Sequence, residues 1–246
     1  MAITALPGMT AHQSELRLRF PAAPYLGLPM VLRVKAEFDI EIAERTYPPI
    51  LSDLERDWVS SVAAPAFSLL ARQRAPDLRR RFCTIGTGSG LDALAAAENF
   101  GADRIAITDL FDDVVAIAAA NISANLAADV GVEIFAGAGD LLTGLQTEAG
   151  LFDVVYENLP NIPVADAAAI AVGRTSGAHL APRAEVVPEF VRRQDLTLHW
   201  LALAAALPWL AVGGVVLSAI GSRVPLATIA EMSQTVGYAP RALTYG

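Results

Sequence analysis

Cysteine is almost missing from this 246-residue chain, in which Cys83 stands alone. One thiol cannot make an intrachain disulfide framework or a cysteine-based metal cluster, so the residue reads as a buried strand position in a reducing, cytoplasmic compartment. Lysine is as scarce. Lys35 is the only one, and 18 basic against 26 acidic residues leave a net charge of −8. Such a chain repels phosphate polymers, and no long arginine patch offsets the field, so nucleic acid is not expected as a partner. Arg79-Arg80-Arg81 comes nearest and reads as a solvated helix end. The N-terminus lacks a basic stretch followed by an apolar run, which argues against secretion. Unbroken apolar runs of membrane-spanning length are lacking too. Leu198 to Ile220 comes closest, but His199, Pro208 and Gly213-Gly214 interrupt it, and a buried helix, a turn and a strand explain it better. Neither a metal nor a membrane partner is expected.

What is present is a large apolar fraction, 54%, enough for a sizeable core. Short apolar strands near 83–86, 104–108, 132–136, 152–156 and 214–220 alternate with alanine-rich helical stretches. That βαβ rhythm predicts a doubly wound α/β fold, a mostly parallel Rossmann-like sheet with right-handed crossovers and strand order 3-2-1-4-5. A sixth strand is expected at Arg241–Tyr245, with no residues left for a seventh. Residues 1–50 read as an N-terminal β extension: Leu16–Phe20 and Met30–Ile40 alternate apolar and polar positions as half-exposed strands do. An exposed strand edge there or at strand six would suit pairing into a homodimer. Residues 51–246 form the main domain, with a capped helix starting near Ser52-Asp53-Leu54-Glu55. The long connection at 165–195 reads as a lid over the strand ends.

The densest signal is Phe82-Cys83-Thr84-Ile85-Gly86-Thr87-Gly88-Ser89-Gly90-Leu91, a strand running through three alternating glycines into a helix. Glycines at 86, 88 and 90 permit positive φ and close ligand approach beside a helix N-terminus. Dinucleotide enzymes favour G-x-G-x-x-G, whose third glycine would fall at Leu91. The spacing therefore favours a mononucleoside cofactor over NAD.

Over roughly residues 80–220 the chain resembles class I S-adenosylmethionine-dependent methyltransferases. Arg104–Thr108 ends in Asp109, about where this fold places the carboxylate that holds ribose hydroxyls. A third strand leads to Gly139-Asp140-Leu141-Leu142, and a fourth to Glu157-Asn158-Leu159-Pro160-Asn161. The last segment is similar to the Asn-Pro-Pro-Tyr signature of the HemK-like amino-methylating group, with Leu159 and Asn161 as departures. Ala120-Asn121-Ile122-Ser123-Ala124-Asn125 resembles the Asn-Ala-x-x-Asn pattern of the same enzymes. The resemblance implies S-adenosyl-L-methionine as cofactor, bound by Gly86, Thr87, Gly88, Gly90, Asp109, Leu110, Asp140, Leu141 and Asn158. It places Asp140 on the adenine amino group, and Asn158 and Pro160 where an acceptor is aimed at the sulfonium methyl. Many members carry an acid two residues before the first glycine for the methionine ammonium. This chain has Thr84 there, so another group must serve.

The missing aromatic, the acidic charge and the lid favour transfer to a small-molecule N or O acceptor, with protein amide methylation as the alternative. His179, in the lid, is the candidate base if the acceptor is an oxygen acid. His199, beside Trp200 in an apolar helix, reads as core, and Tyr47 before two prolines reads as either a cofactor cover or a packing plug. A nicotinamide-dependent oxidoreductase is a rival, weakened by the absence of a Tyr-x-x-x-Lys pair. A non-catalytic protein that kept the fold is another.

Overall fold

A computed structural model describes residues 16–160 and 183–244. The chain opens with an antiparallel pair, β1 (Leu16–Pro21) and β2 (Glu37–Ile42), joined through the short helix α1 (Ala22–Tyr25). The main domain continues with α2 (Ala64–Gln73), β3 (Arg81–Ile85), α3 (Leu91–Phe100), β4 (Arg104–Asp109), α4 (Asp112–Asn125), β5 (Glu133–Ala138) and β6 (Phe152–Glu157). After 183 come α5 (Glu189–Arg193), α6 (Thr197–Ala206), β7 (Leu210–Ser218) and α7 (Leu226–Val236). Strands β3 to β7 form one parallel sheet in the order β5-β4-β3-β6-β7, the expected 3-2-1-4-5. The architecture is Rossmann-like.

The central strands are apolar because helices cover both faces. Phe82, Val154 and Tyr156 turn to one face, where Phe67 of α2 packs edge-on to Phe82 and Tyr156 at 5.5 and 5.0 Å between ring centres. Cys83, Ile85 and Val155 turn to the other, against Ala202 and Ala206 of α6. Burial there pushes the Cys83 thiol well above its ordinary value. Leu198 to Ile220 divides into helix, turn and strand as expected, and no helix among the described residues is long and apolar enough to cross a membrane.

The N-terminal extension is continuous with the main core. Phe20, Tyr25 and Phe38 form a ring cluster within the same apolar body as Phe67 and Phe82. The outer edge of β2 is closed by two side-chain amides one helical turn apart. Asn121 accepts from Glu41 N at 3.0 Å and donates to Glu41 O at 2.8 Å, and Asn125 does the same with Asp39 at 2.8 and 3.0 Å. A primary amide carries one acceptor and two donors, so each asparagine imitates a residue of a neighbouring strand.

Three expectations are corrected. Met30–Ile40 is not one strand: only Glu37 onward pairs with β1, because the Glu98 carboxylate takes the amides of Leu32, Arg33 and Val34 at 2.7–3.1 Å. Ser52 caps nothing. The chain passes through a 3-10 turn and then a π turn into its helix, and buried Asp57 holds the start of the π turn, accepting from Val59 N and Ser60 N as well as from Ile50 N and the Tyr25 hydroxyl. Residues 241–244 are not a strand. Gly237 ends α7 at φ 107° and Tyr238 donates to Leu203 O at 2.9 Å, turning the chain onto α6. Arg241 then reaches Gln73 at 2.6 Å, and among the described residues β7 is the edge of the sheet.

Candidate functional site

Gly86, Gly88 and Gly90 all take positive φ, at 75°, 54° and 83°. Space as well as conformation demands glycine at two of them. A Cβ on Gly90 would lie 3.0 Å from Ile122 and 3.1 Å from the Ala118 carbonyl, and one on Gly86 would lie 3.0 Å from the Leu159 side chain. The loop is bound tightly to its own sheet. Gly86 N and Thr87 N both donate to Thr108 O at 2.8 and 2.9 Å, Gly88 N donates to Asp109 Oδ2 at 3.2 Å, and Gly90 N to Thr87 O at 3.0 Å. At these four positions the amides that the sequence offers to a ligand are engaged within the protein. The glycines shape a bend beneath a group of carboxylates.

Asp109 closes β4 with one oxygen on Gly88 N and the other on Leu110 N at 2.8 Å. Burial raises its pKa, against the lowering effect of those amides. Asp92, in the first turn of α3, is a second carboxylate, one that the motif does not reveal. It accepts from the Thr84 hydroxyl, from Ala93 N at 2.8 Å and from the Thr87 hydroxyl at 3.4 Å. Burial pushes it up to about 6, with those hydrogen bonds opposing. The strand position that lacks an acid is thus met by an acid from the helix, eight residues later in the chain. Glu157, the last residue of β6, is the third. It is fully buried, accepts from Leu159 N at 3.3 Å, and lies 2.7 and 2.9 Å from Nδ1 of His199 in the first turn of α6.

The remaining expected residues border this group. Asn158 and Pro160 are half-buried directly after Glu157. Asp140 and Leu141 stand at the end of β5, where Leu141 holds an uncommon φ of 55° and Arg183 clamps the Asp140 carboxylate through two bonds of 2.8 and 2.9 Å. A cavity of about 310 Å³ lies beside them, between this turn and Ala205 and Trp209. It shares only Asp140 and Leu141 with the expected cofactor set. Ahead of the domain, Arg45 lies over the Phe111 ring at 4.1 Å, and the methyl of Thr46 would be 3.3 Å from a Cβ on Gly88. The segment before the two prolines therefore does lie against the glycine loop, with Tyr47 at its end 40% exposed. His179 and most of the proposed lid lie outside the described residues.

Among the described residues, two buried polar atoms near the strand ends have no hydrogen-bond partner, Thr46 Oγ1 and His199 Nε2. A third, Arg79 Nε, belongs to a guanidinium that already donates to two carbonyls at the other edge of the sheet. Asp92, Glu157 and His199 were not among the expected site residues. A clue existed for each: an acid where an alanine-rich helix starts, an acid closing an apolar strand, and a histidine inside an apolar helix. Asn121 and Asn125 go the other way, since their side chains serve the β2 seam and Ser89 O. Protein-family models yield no match to the chain, and none of the curated proteins matches it.

Proposed function

We propose that the protein is a methyltransferase using S-adenosyl-L-methionine, acting on a small-molecule acceptor. One observation carries this reading. Asp92, Asp109 and Glu157 gather at the carboxyl ends of β3, β4 and β6, and among the described residues none of them is ion-paired with an arginine or lysine. The cofactor carries a sulfonium and an ammonium, so an uncompensated acidic group beside a glycine bend suits it. A dinucleotide brings a pyrophosphate, which needs free amides and positive charge. Here the loop amides at 86, 87, 88 and 90 are occupied and the surroundings are acidic, which counts against the nicotinamide reading.

In this reading Asp109 accepts from the ribose hydroxyls, and Asp92, steadied by Thr84, supplies the charge that the strand lacks. The cofactor brings a methyl already activated by its positive sulfur. What remains for the chain is alignment of the acceptor by Asn158 and Pro160 and exclusion of water. Isothermal calorimetry tests the proposal: S-adenosylhomocysteine binds and NAD does not. Asp109→Asn weakens the binding at least tenfold, about 1.4 kcal/mol. No heat with S-adenosylhomocysteine, or tighter binding of NAD, would overturn the reading.

A further inference from the structure

Glu157 and His199 are buried completely, 42 residues apart in the chain, at the meeting of β6 and α6. Their place is specific. Glu157 pairs with Ile85 across the sheet, so it sits level with the residue before Gly86. Asn158 follows it directly, and the side chain of Leu159 leans on Gly86.

Both Glu157 oxygens face Nδ1, at 2.7 and 2.9 Å. Facing two carboxylate oxygens, Nδ1 takes the donor role, and in a neutral ring the lone pair then falls on Nε2. Nε2 is buried and has no partner among the described residues. A pair with a purely structural task would satisfy both ring nitrogens, because an unmade hydrogen bond in a dry site is costly. A base oriented by a carboxylate through its far nitrogen, with the near one unclaimed, is the arrangement that proton abstraction requires.

We propose that His199 is the general base of the transfer, that Glu157 is its positioning residue, and that the acceptor is a hydroxyl of the phenol class. The inference rests on the methyl-transfer reading above. A neutral amine already presents its lone pair, whereas a phenolic oxygen becomes a good nucleophile as it gives up its proton. The acceptor O–H bond breaks and its proton passes to Nε2. The oxygen's electron pair forms the new O–CH3 bond, and the pair of the breaking S–CH3 bond stays on sulfur as a neutral thioether. One positive charge moves from sulfonium to imidazolium, where Glu157 faces it.

The test uses the whole chain. Nitrogen-15 labelling of its histidines, with His199 assigned by its loss in His199→Gln, is expected to show a proton on Nδ1 and a bare Nε2. A proton on Nε2 would overturn the proposal. Calorimetry with S-adenosylhomocysteine is expected to give the same affinity for the wild type and His199→Gln. Methyl transfer from S-adenosylmethionine is then followed on phenols of graded acidity. His199→Gln is expected to lose on the order of 100-fold on unsubstituted phenol and to keep most of its rate on nitrophenols already ionised. Glu157→Gln, which still offers Nδ1 an acceptor, is expected to fall between and serves alone if His199→Gln does not fold. A loss that is uniform across the panel, or no loss, overturns the proposal. A wild type that binds S-adenosylhomocysteine and methylates no phenol overturns the base assignment while the cofactor reading stands. Failure to bind S-adenosylhomocysteine overturns the reading beneath it.

Discussion

Where the strands of the parallel sheet begin, acids meet arginines: Arg81 with Asp153, Arg80 with Asp103 and Arg104 with Glu133. Where the same strands end, Asp92 and Asp109 are held by hydroxyl and amide donors and Glu157 by an imidazole and an amide, with no arginine among the described residues. Among the described residues only Asp140 has a guanidinium there, that of Arg183. A carboxylate neutralised by arginine is finished as structure. One held on neutral donors keeps an uncompensated charge at a cost in folding, and in the proposed reading that charge meets the cofactor.

Removing an acid at each edge should therefore give opposite results. Asp153→Ala leaves Arg81 N and its guanidinium without the acceptor they share. With Arg81 itself 40% exposed and partly solvated, the expected loss is about 3 kcal/mol in urea denaturation, with S-adenosylhomocysteine affinity unchanged. Asp92→Asn should do the reverse. Asp92 holds its proton up to about 6 when folded and to an ordinary 3.8 when unfolded. Its favourable contribution is full below pH 3.8 and disappears as pH rises through about 6. The wild type should lose stability between those values, and the variant should not. At pH 7 the variant should be more stable by about 2 kcal/mol while binding S-adenosylhomocysteine less well.

The β2 seam sharpens the contrast, because its polar groups are buried yet fully paired. Asn125→Ala is expected to cost about 1–2 kcal/mol by chemical denaturation, without effect on ligand affinity. Arg183→Ala should have the smallest effect on stability, below about 1 kcal/mol, since the pair with Asp140 is partly open to solvent. It frees Asp140, so S-adenosylhomocysteine should bind more tightly if that carboxylate meets the adenine. An unchanged affinity would remove Asp140 from the site.

Much of the fold was legible because it rests on local rules. Apolar runs of strand length alternating with alanine-rich helices give the sheet order, and alternating glycines mark the bend after β3. The errors arose where a distant side chain competed for backbone donors. Glu98 claims the amides of 32–34 and shortens β2, and Asp57 supplies at 59 and 60 the cap expected near Ser52-Asp53-Leu54-Glu55. Neither competitor leaves a trace in the periodicity of the segment it alters. Asp92 was hidden for a related reason. The motif points to position 84, and a carboxylate offered there from the next helix has no fixed spacing to read.

The chain alone determined its Rossmann-like class, the strand order and the position of the glycine bend, because hydrophobic period and glycine's conformational freedom act over neighbouring residues. Only the tertiary structure decided which acids stay uncompensated, that Asn121 and Asn125 close a seam, and that a histidine read as core sits on Glu157 with one nitrogen left over. Those outcomes depend on which donor reaches which acceptor across tens of residues, and hydrogen bonds and burial are settled by packing rather than by sequence spacing.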